Sequence, residues 1–332
     1  MARKAKGIGL LSGGLDSILA VKVLQEQKID LLGLTFKTPF FGPAEGLAAG
    51  DMAGIEMRAI DISEVHLEML KNPRYGYGSR INPCIDCHGL MLREAAKILE
   101  AEGADFLFTG EVLGQRPMSQ RRDSLRSVEK LSGLIGRILR PLSAKLLSPT
   151  IVEEEGLVDR NMLLDIQGRS RRPQRELARK YGLKDYPQPG GGCMLTNEGF
   201  ASRLRKLLEI RPGATVGDVE IIKWGRAFVL PGDTICMVGR KESENSRLEA
   251  LARPEDIILS GSDHPGPTCV VLAPKETFDP ETAASLCASY GDAPEGAQVA
   301  VEWRAGGAER KQAAGKITAQ PRPKEFFKTF LL

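Results

Sequence analysis

Two groups of residues in this 332-residue chain have the types and spacing to do chemistry. The first is Ser12-Gly13-Gly14-Leu15-Asp16-Ser17. Its two glycines carry no Cβ and tolerate positive φ, so the turn can aim several backbone N–H groups at one anion. A helix starting just after them adds its partially positive N-terminus at the same spot. In that first turn Ser17 can donate to a phosphate, and Asp16 can orient a metal ion or an attacking group. The second group is Cys84 and Cys87, in Asn-Pro-Cys-Ile-Asp-Cys-His, with Cys193 far downstream after three glycines. A CxxC that opens a helix favours thiolate, which can ligate metal or cycle as a dithiol. Three thiolates suit a 4Fe–4S cluster with one iron left open, or a zinc ion completed by His88 or an exogenous ligand. They also suit persulfide-and-disulfide chemistry, and the cysteine pattern leaves these alternatives open.

The elements that position these groups follow from hydrophobic periodicity. Ile8, Leu10 and Leu11 form a short buried strand, and Ile18, Leu19, Val21, Val23 and Leu24 form one face of a helix. Residues Ile29–Phe36 and Met57–Ile62 are predicted strands around a helix within Leu47–Ile55; a helix over Leu90–Ala101 and a strand over Asp105–Thr109 follow. This alternation predicts an α/β fold with a doubly wound parallel sheet. Ligands of such sheets bind at the carboxyl ends of the strands, where Gly110, Glu111 and Gln115 fall. Helices are expected over Arg172–Tyr181 and Phe200–Ile210, and Arg211-Pro212-Gly213 then breaks the pattern. The expected domains are therefore 1–211 and a smaller α+β domain, 212–332. Strands are predicted there at Val219–Trp224, Ala227–Leu230, Thr234–Val238, Ile257–Leu259, Val270–Leu272 and Val299–Trp303, with a helix at Pro280–Tyr290. Cys236, Cys269 and Cys287 read as ordinary buried thiols. His66 reads as a packing or surface residue of a helix, His264 as a surface histidine, and Trp224 and Trp303 as core.

A formal net charge of +3 is too small to imply a nucleic-acid partner, but its distribution is uneven. Arg121, Arg122, Arg126, Lys130, Arg137, Arg140, Arg169, Arg171, Arg172, Arg175 and Arg179 fall within one third of the chain. Such a cluster can neutralise a phosphate backbone, or form a solvated face paired with Glu153, Glu154 and Glu155. No apolar run approaches bilayer-spanning length, and the basic start leads at once into the first strand, so no membrane partner and a cytoplasmic location are expected.

The string from Ser12 to Ser17 resembles the SGGxDS loop of the PP-loop ATPase superfamily, whose fold is the adenine nucleotide alpha hydrolase type. The resemblance implies ATP across Ser12, Gly13, Gly14, Leu15, Asp16 and Ser17, with Mg2+ near Asp16. It also implies Phe36 near the adenine and Gly110, Glu111 and Gln115 on the far side. Such enzymes cleave ATP between the α- and β-phosphates, adenylate a carbonyl oxygen and let a nucleophile displace AMP. The pattern GExLGQxxxSQ from Gly110 to Gln120, with Arg140-Pro141-Leu142 beyond it, resembles the catalytic domain of tRNA 4-thiouridine synthases. Those usually carry an RNA-capturing domain ahead of the loop, which only Met1 to Leu11 precede here. The NPCxxC element instead resembles 2-thiouridine and 2-thiocytidine tRNA thiolases, some of which hold an iron-sulfur cluster on three cysteines. In the last third, GRKESEN, ARPEDI, HPGPTCVVL and a late basic strand resemble the NFACT RNA-binding domain. Together the resemblances imply a tRNA sulfurtransferase fed by sulfide or by a cysteine desulfurase persulfide, with Asp16, Cys84, Cys87 and Cys193 catalytic. Arg121, Arg122 and the Arg169–Arg175 cluster are expected to hold the tRNA backbone. A PP-loop enzyme thiolating or amidating a small molecule and a non-catalytic RNA-binding or sulfur-sensing protein are the alternatives.

Overall fold

The computed structural model describes residues 4–186, 193–294, 296–308 and 313–332; the turn expected before Cys193, including Gly190 to Gly192, lies outside the described residues, as does Lys311. The chain divides into two compact units, Met1–Thr196 and Asn197–Leu332.

The first unit runs β1 (Lys6–Leu10), α1 (Leu15–Glu26), β2 (Asp30–Lys37), α2 (Ala44–Ala53), β3 (Glu56–Asp61), α3 (Ser63–Lys71), α4 (Cys84–Ala101), β4 (Phe106–Thr109), α5 (Arg122–Ser132), β5 (Ile138–Leu139), α6 (Ile151–Glu154) and α7 (Arg172–Lys180). Its sheet has the order β3-β2-β1-β4-β5, and every pairing is parallel. This is the predicted α/β architecture, and its strands are apolar because both faces are covered. One face packs Phe106 and Phe108 against α1; the other packs Ile8, Leu34 and Leu107 against α4. Gly9 in β1 makes room for the neighbouring strand's aromatic ring, since a Cβ there would lie 2.3 Å from Phe108. Strand order reverses between β1 and β4, so a crevice opens beyond Leu10 and Thr109, which are paired in register.

Helix α4 begins at Cys84, six residues before the start expected from its apolar period. Its first turn is polar: Asp86 accepts the backbone N–H groups of Arg74 (2.8 Å) and Tyr75 (3.0 Å), which fixes the preceding loop against the helix start.

The second unit contains α8 (Glu198–Ile210), α9 (Val216–Ile221), β6 (Arg226–Leu230), β7 (Thr234–Val238), α10 (Glu242–Leu251), β8 (Ile257–Gly261), β9 (Cys269–Val271), α11 (Pro280–Ser289), β10 (Val299–Ala305), β11 (Gly315–Ala319) and α12 (Lys324–Lys328). Its antiparallel sheet has the order β11-β10-β8-β9-β7-β6. Two expectations change here. The first half of the segment predicted as a strand from Val219 is helix α9, because Thr215 and Asp218 form a capping box that nucleates a helix. The predicted boundary at Arg211 lies inside this unit. Arg211 (2.8 Å) and Arg253 (2.7 Å) both pair with buried Asp218, which ties the end of α8 to α9. Helix α8 therefore belongs to the second unit. Among the described residues, no helix is long and apolar enough to cross a membrane.

Candidate functional site

Gly13 adopts φ +90°, and a Cβ on it would lie 2.5 Å from Glu45 Cβ, so only glycine lets the turn pass beneath α2. Gly14 is extended and caps α1 without a side chain, and its carbonyl accepts both the N–H (3.0 Å) and the hydroxyl (2.7 Å) of Ser17. The end of β4 closes on this turn. A Cβ on Gly110 would stand 2.5 Å from the Asp16 carbonyl carbon and the Ser17 nitrogen. Asp16 Oδ2 accepts from Gln115 Nε2 at 2.7 Å, so two expected site residues meet. Gln115 in turn accepts from Gln174 of α7 at 2.9 Å, and Arg171 Nη2 lies 3.5 Å from Asp16 Oδ2. Asp16 Oδ1 and Gln174 Oε1 are buried with no partner among the described residues. A buried polar atom without a partner costs stability, so two of them at one turn point to a ligand that supplies donors or a cation.

Gln174 and Arg171 were not singled out for this crevice by the sequence, where they sit in an arginine-rich run. Phe36 and Leu15 are buried in the apolar cores; Leu15 faces the loop through its backbone, and the Phe36 ring is part of the packing around Ile8 and Ile62.

Glu111 links the crevice to α4. It is buried and accepts from His88 Nδ1 (2.9 Å), Thr109 Oγ1 (3.0 Å) and Arg140 Nε (3.1 Å). The first two roles assume a proton on His88 Nδ1 and on the threonine hydroxyl, which follows from the carboxylate being acceptor-only. Burial alone raises the Glu111 pKa, but the His88 hydrogen bond and the Arg140 guanidinium outweigh it and hold the carboxyl at about 2. A carboxylate so weakly basic is a brace and an unsuitable general base at neutral pH. Arg140, expected on a basic surface, is instead buried between Glu111 and Glu129. His88, considered as a fourth metal ligand, is bonded to Glu111 through Nδ1.

Cys84, Cys87 and Cys193 are free, partly buried thiols brought together from the start of α4 and the segment after residue 192. Burial raises the Cys87 pKa, and the neighbouring Cys193 and Cys84 raise it further. Burial also pushes Cys193 up to about 11, opposed by the Leu195 backbone N–H and joined by the proximity of Cys84. The histidine at this site is His66 of α3, whose Nε2 lies 3.2 Å from Cys87 Sγ. Phe40 and Phe41 flank its ring at centroid distances of 5.4 and 5.8 Å, and the Met194 N–H reaches the Phe40 carbonyl at 3.5 Å. Its sequence signal was a place in the buried stripe His66, Leu67, Leu70, which also describes ordinary packing. Among the described residues, no group of three or more His, Cys, Asp or Glu side chains is arranged to hold a single metal ion.

The basic run splits. Arg160 pairs with Glu153, Arg137 with Glu155, Lys180 with Glu26 and Arg172 with Glu176. Arg121, Arg126, Lys130, Arg169, Arg175 and Arg179 are exposed.

Residues 225–331 match the model of the NFACT protein RNA binding domain. The chain is 25% identical over 221 residues to the tRNA-specific 2-thiouridylase MnmA of Thiobacillus denitrificans, covering 61% of this chain and 58% of the relative. It is 29% identical over 227 residues to the same enzyme of a Ruegeria species (61% and 55%) and 33% identical over 119 residues to that of Clostridium acetobutylicum (30% and 34%). The chain thus spans less than two thirds of the length of these relatives. Among solved structures, a predicted subunit of tRNA methyltransferase from Methanocaldococcus jannaschii is similar at TM-score 0.34 and 15% identity, covering 53% of this chain and 76% of that one. The NMN synthetase of Francisella tularensis is similar at TM-score 0.28 and 13% identity, covering 57% and 91%. The matched model and the curated relatives agree with the resemblances read from the sequence to tRNA thiolation enzymes and to the NFACT RNA-binding domain.

Proposed function

We propose that this protein is an ATP-dependent tRNA sulfurtransferase that replaces a pyrimidine carbonyl oxygen with sulfur. The observation that carries the reading is a physical link between two sites. Cys87 is followed by His88, which is bonded to Glu111, and the adjacent Gly110 packs on Asp16 and Ser17. The thiols and the phosphate-sized turn are thereby braced on one scaffold, as a reaction that activates an oxygen and then delivers sulfur requires.

ATP would lie across Ser12 to Ser17, with its phosphates on the turn and helix N-terminus and Mg2+ held by Asp16, whose Oδ1 has no protein partner. Arg171 beside Asp16 would add charge stabilisation for departing pyrophosphate. The pyrimidine oxygen attacks the α-phosphorus, the bond to pyrophosphate breaks, and the base is left as an adenylate. A sulfur nucleophile then attacks the same ring carbon and AMP leaves with the original oxygen. The base must be extruded from its stack to reach both groups.

Cys84, Cys87 and Cys193 would supply three sulfur donors to a 4Fe–4S cluster; bound there, the cluster would supply an open iron able to hold hydrosulfide. In the competing route a persulfide on Cys193 attacks, and Cys84 or Cys87 then forms a disulfide with Cys193 as sulfur stays on the base; an external thiol must reduce that disulfide each cycle. The NFACT-type domain and the unpaired arginines would hold the tRNA.

The test is anaerobic purification, iron analysis and a visible spectrum, followed by incubation with ATP, sulfide and bulk tRNA and mass spectrometry of the nucleosides. A new ATP-dependent thionucleoside supports the reading and identifies the base. Its absence with both iron-loaded and iron-free protein overturns it. Loss of colour in each of Cys84→Ala, Cys87→Ala and Cys193→Ala supports the cluster, whereas thiolation by a colourless protein supports the persulfide route.

A further inference from the structure

The direction of the hydrogen bonds at the three sulfurs is set by their surroundings. Asn82 is buried, and its Oδ1 accepts the Arg80 backbone N–H at 3.1 Å, which fixes the amide so that Nδ2 faces Cys84 Sγ at 3.2 Å. Nδ2 is a donor, so Cys84 sulfur is the acceptor. Gly78 leaves the space this requires, because a Cβ on it would lie 2.5 Å from Asn82 Nδ2.

At Cys87 the same logic applies through a tautomer. His66 is fully buried and its Nδ1 has no partner among the described residues. A neutral imidazole carries one N–H, and a buried N–H without an acceptor is rarer and costlier than a bare ring nitrogen. The proton therefore belongs on Nε2, aimed at Cys87 Sγ 3.2 Å away. The sulfurs of Cys84 and Cys87 thus each receive one N–H.

We infer that His66 and Asn82 are positioning residues that donate N–H···S hydrogen bonds to Cys87 and Cys84, and so set the reduction potential of an iron-sulfur cluster held by the three cysteines. This rests on the cluster form of the function proposed above. Donors to a ligand sulfur stabilise the more negatively charged, reduced state and raise the potential; outer partners of a ligand commonly tune a site this way. Phe40 and Phe41 hold the imidazole plane, and the Arg80 N–H holds the amide, so both donors are preorganised.

The experiment is a redox titration of the anaerobically reconstituted full-length protein, followed by electron paramagnetic resonance. His66→Phe keeps an aromatic ring between Phe40 and Phe41 and removes the donor; His66→Gln restores an N–H near the position of Nε2. Asn82→Leu tests the second donor independently. At equal iron content, His66→Phe and Asn82→Leu should each shift the midpoint to more negative potential, with His66→Gln returning most of the way to wild type. Unchanged midpoints in both donor-less variants at equal loading overturn the inference and leave the cluster reading intact. Failure of the wild-type protein to take up iron and sulfide overturns both.

Discussion

The chain holds two trios of free cysteines, and they differ in which way their hydrogen bonds run. In the first unit Cys84, Cys87 and Cys193 are partly buried, and the sulfurs of Cys84 and Cys87 accept N–H groups from Asn82 and His66. In the second unit Cys236, Cys269 and Cys287 are fully buried among Phe228, Val238, Leu259 and Val271. There Cys287 donates its S–H to the Pro267 carbonyl at 3.7 Å. Burial, first of all, holds the Cys269 thiol protonated. One trio has N–H donors beside it and the other lies among apolar side chains, while burial raises the thiol pKa in both. Residue type and number are the same in both; the partners decide the role.

The largest expected effect breaks or upholds this contrast directly. Alanine at Cys193 should abolish thionucleoside formation, and in the cluster form so should alanine at Cys84 or Cys87, whereas Cys236→Ala and Cys269→Ala should leave the turnover rate within about twofold of wild type. Stability should reverse the order: the buried pair loses roughly 1–2 kcal/mol through lost packing, the partly exposed trio much less. Denaturant midpoints of the same variants check this, and an inactive Cys269→Ala enzyme that is fully folded would contradict it.

The next effect concerns the brace beside the first trio. Arg140→Met leaves the buried Glu111 carboxylate and the half-buried Glu129 without their shared cation and should cost about 3–5 kcal/mol. The pH dependence separates this from simple packing loss. The folded Glu111 carboxyl is depressed to about 2 from an ordinary value near 4.5, so its ionisation stabilises the fold fully above about pH 4.5 and the contribution fades as pH falls toward 2. That contribution is about 3 kcal/mol for a buried group shifted by this much. The stability gap between wild type and Arg140→Met should therefore narrow on acidification through that window, as followed by urea unfolding at a series of pH values. Smaller again is Gly110→Ala. Its Cβ would strike backbone at Asp16 and Ser17, and a displacement of that size should lower ATP-dependent adenylation about 100-fold while the fold survives.

How far the sequence was legible follows from where each signal is local. The turn at Gly13–Gly14, the parallel sheet and the meeting of Asp16 with Gln115 were readable, because strand period, glycine and strand-end position are properties of short segments. The pairing of Asp218 with Arg211 and Arg253 was not, so a helix was read as a strand and the division between the units was placed after α8. His66 and Arg140 show the same limit. Each carries an ordinary helical or basic pattern, and only long-range packing puts one against Cys87 and the other against Glu111. His88 adjoins Cys87 in sequence, and only the fold shows that its Nδ1 is bonded to Glu111.

The arginines extend the contrast between the trios to a second residue type, with the smallest expected effect. Arg160 is bonded to Glu153 and to the Ala144 and Leu147 carbonyls, whereas Arg121 and Arg126 are exposed without an ion pair to a described residue. A cation that is already paired releases few counterions when a phosphate approaches, while an unpaired one releases about one. In fluorescence titrations of bulk tRNA over a range of salt, the Arg121→Ala, Arg126→Ala double variant should bind severalfold more weakly at moderate salt. Its plot of log affinity against log salt should flatten by roughly 1–2 units of slope. Arg160→Ala should leave that slope unchanged and lower only the unfolding midpoint, by no more than about 1–2 kcal/mol of stability for a half-buried pair with carbonyl contacts. Equal slope losses in the two proteins would mean that the local partner of an arginine does not determine whether it meets RNA.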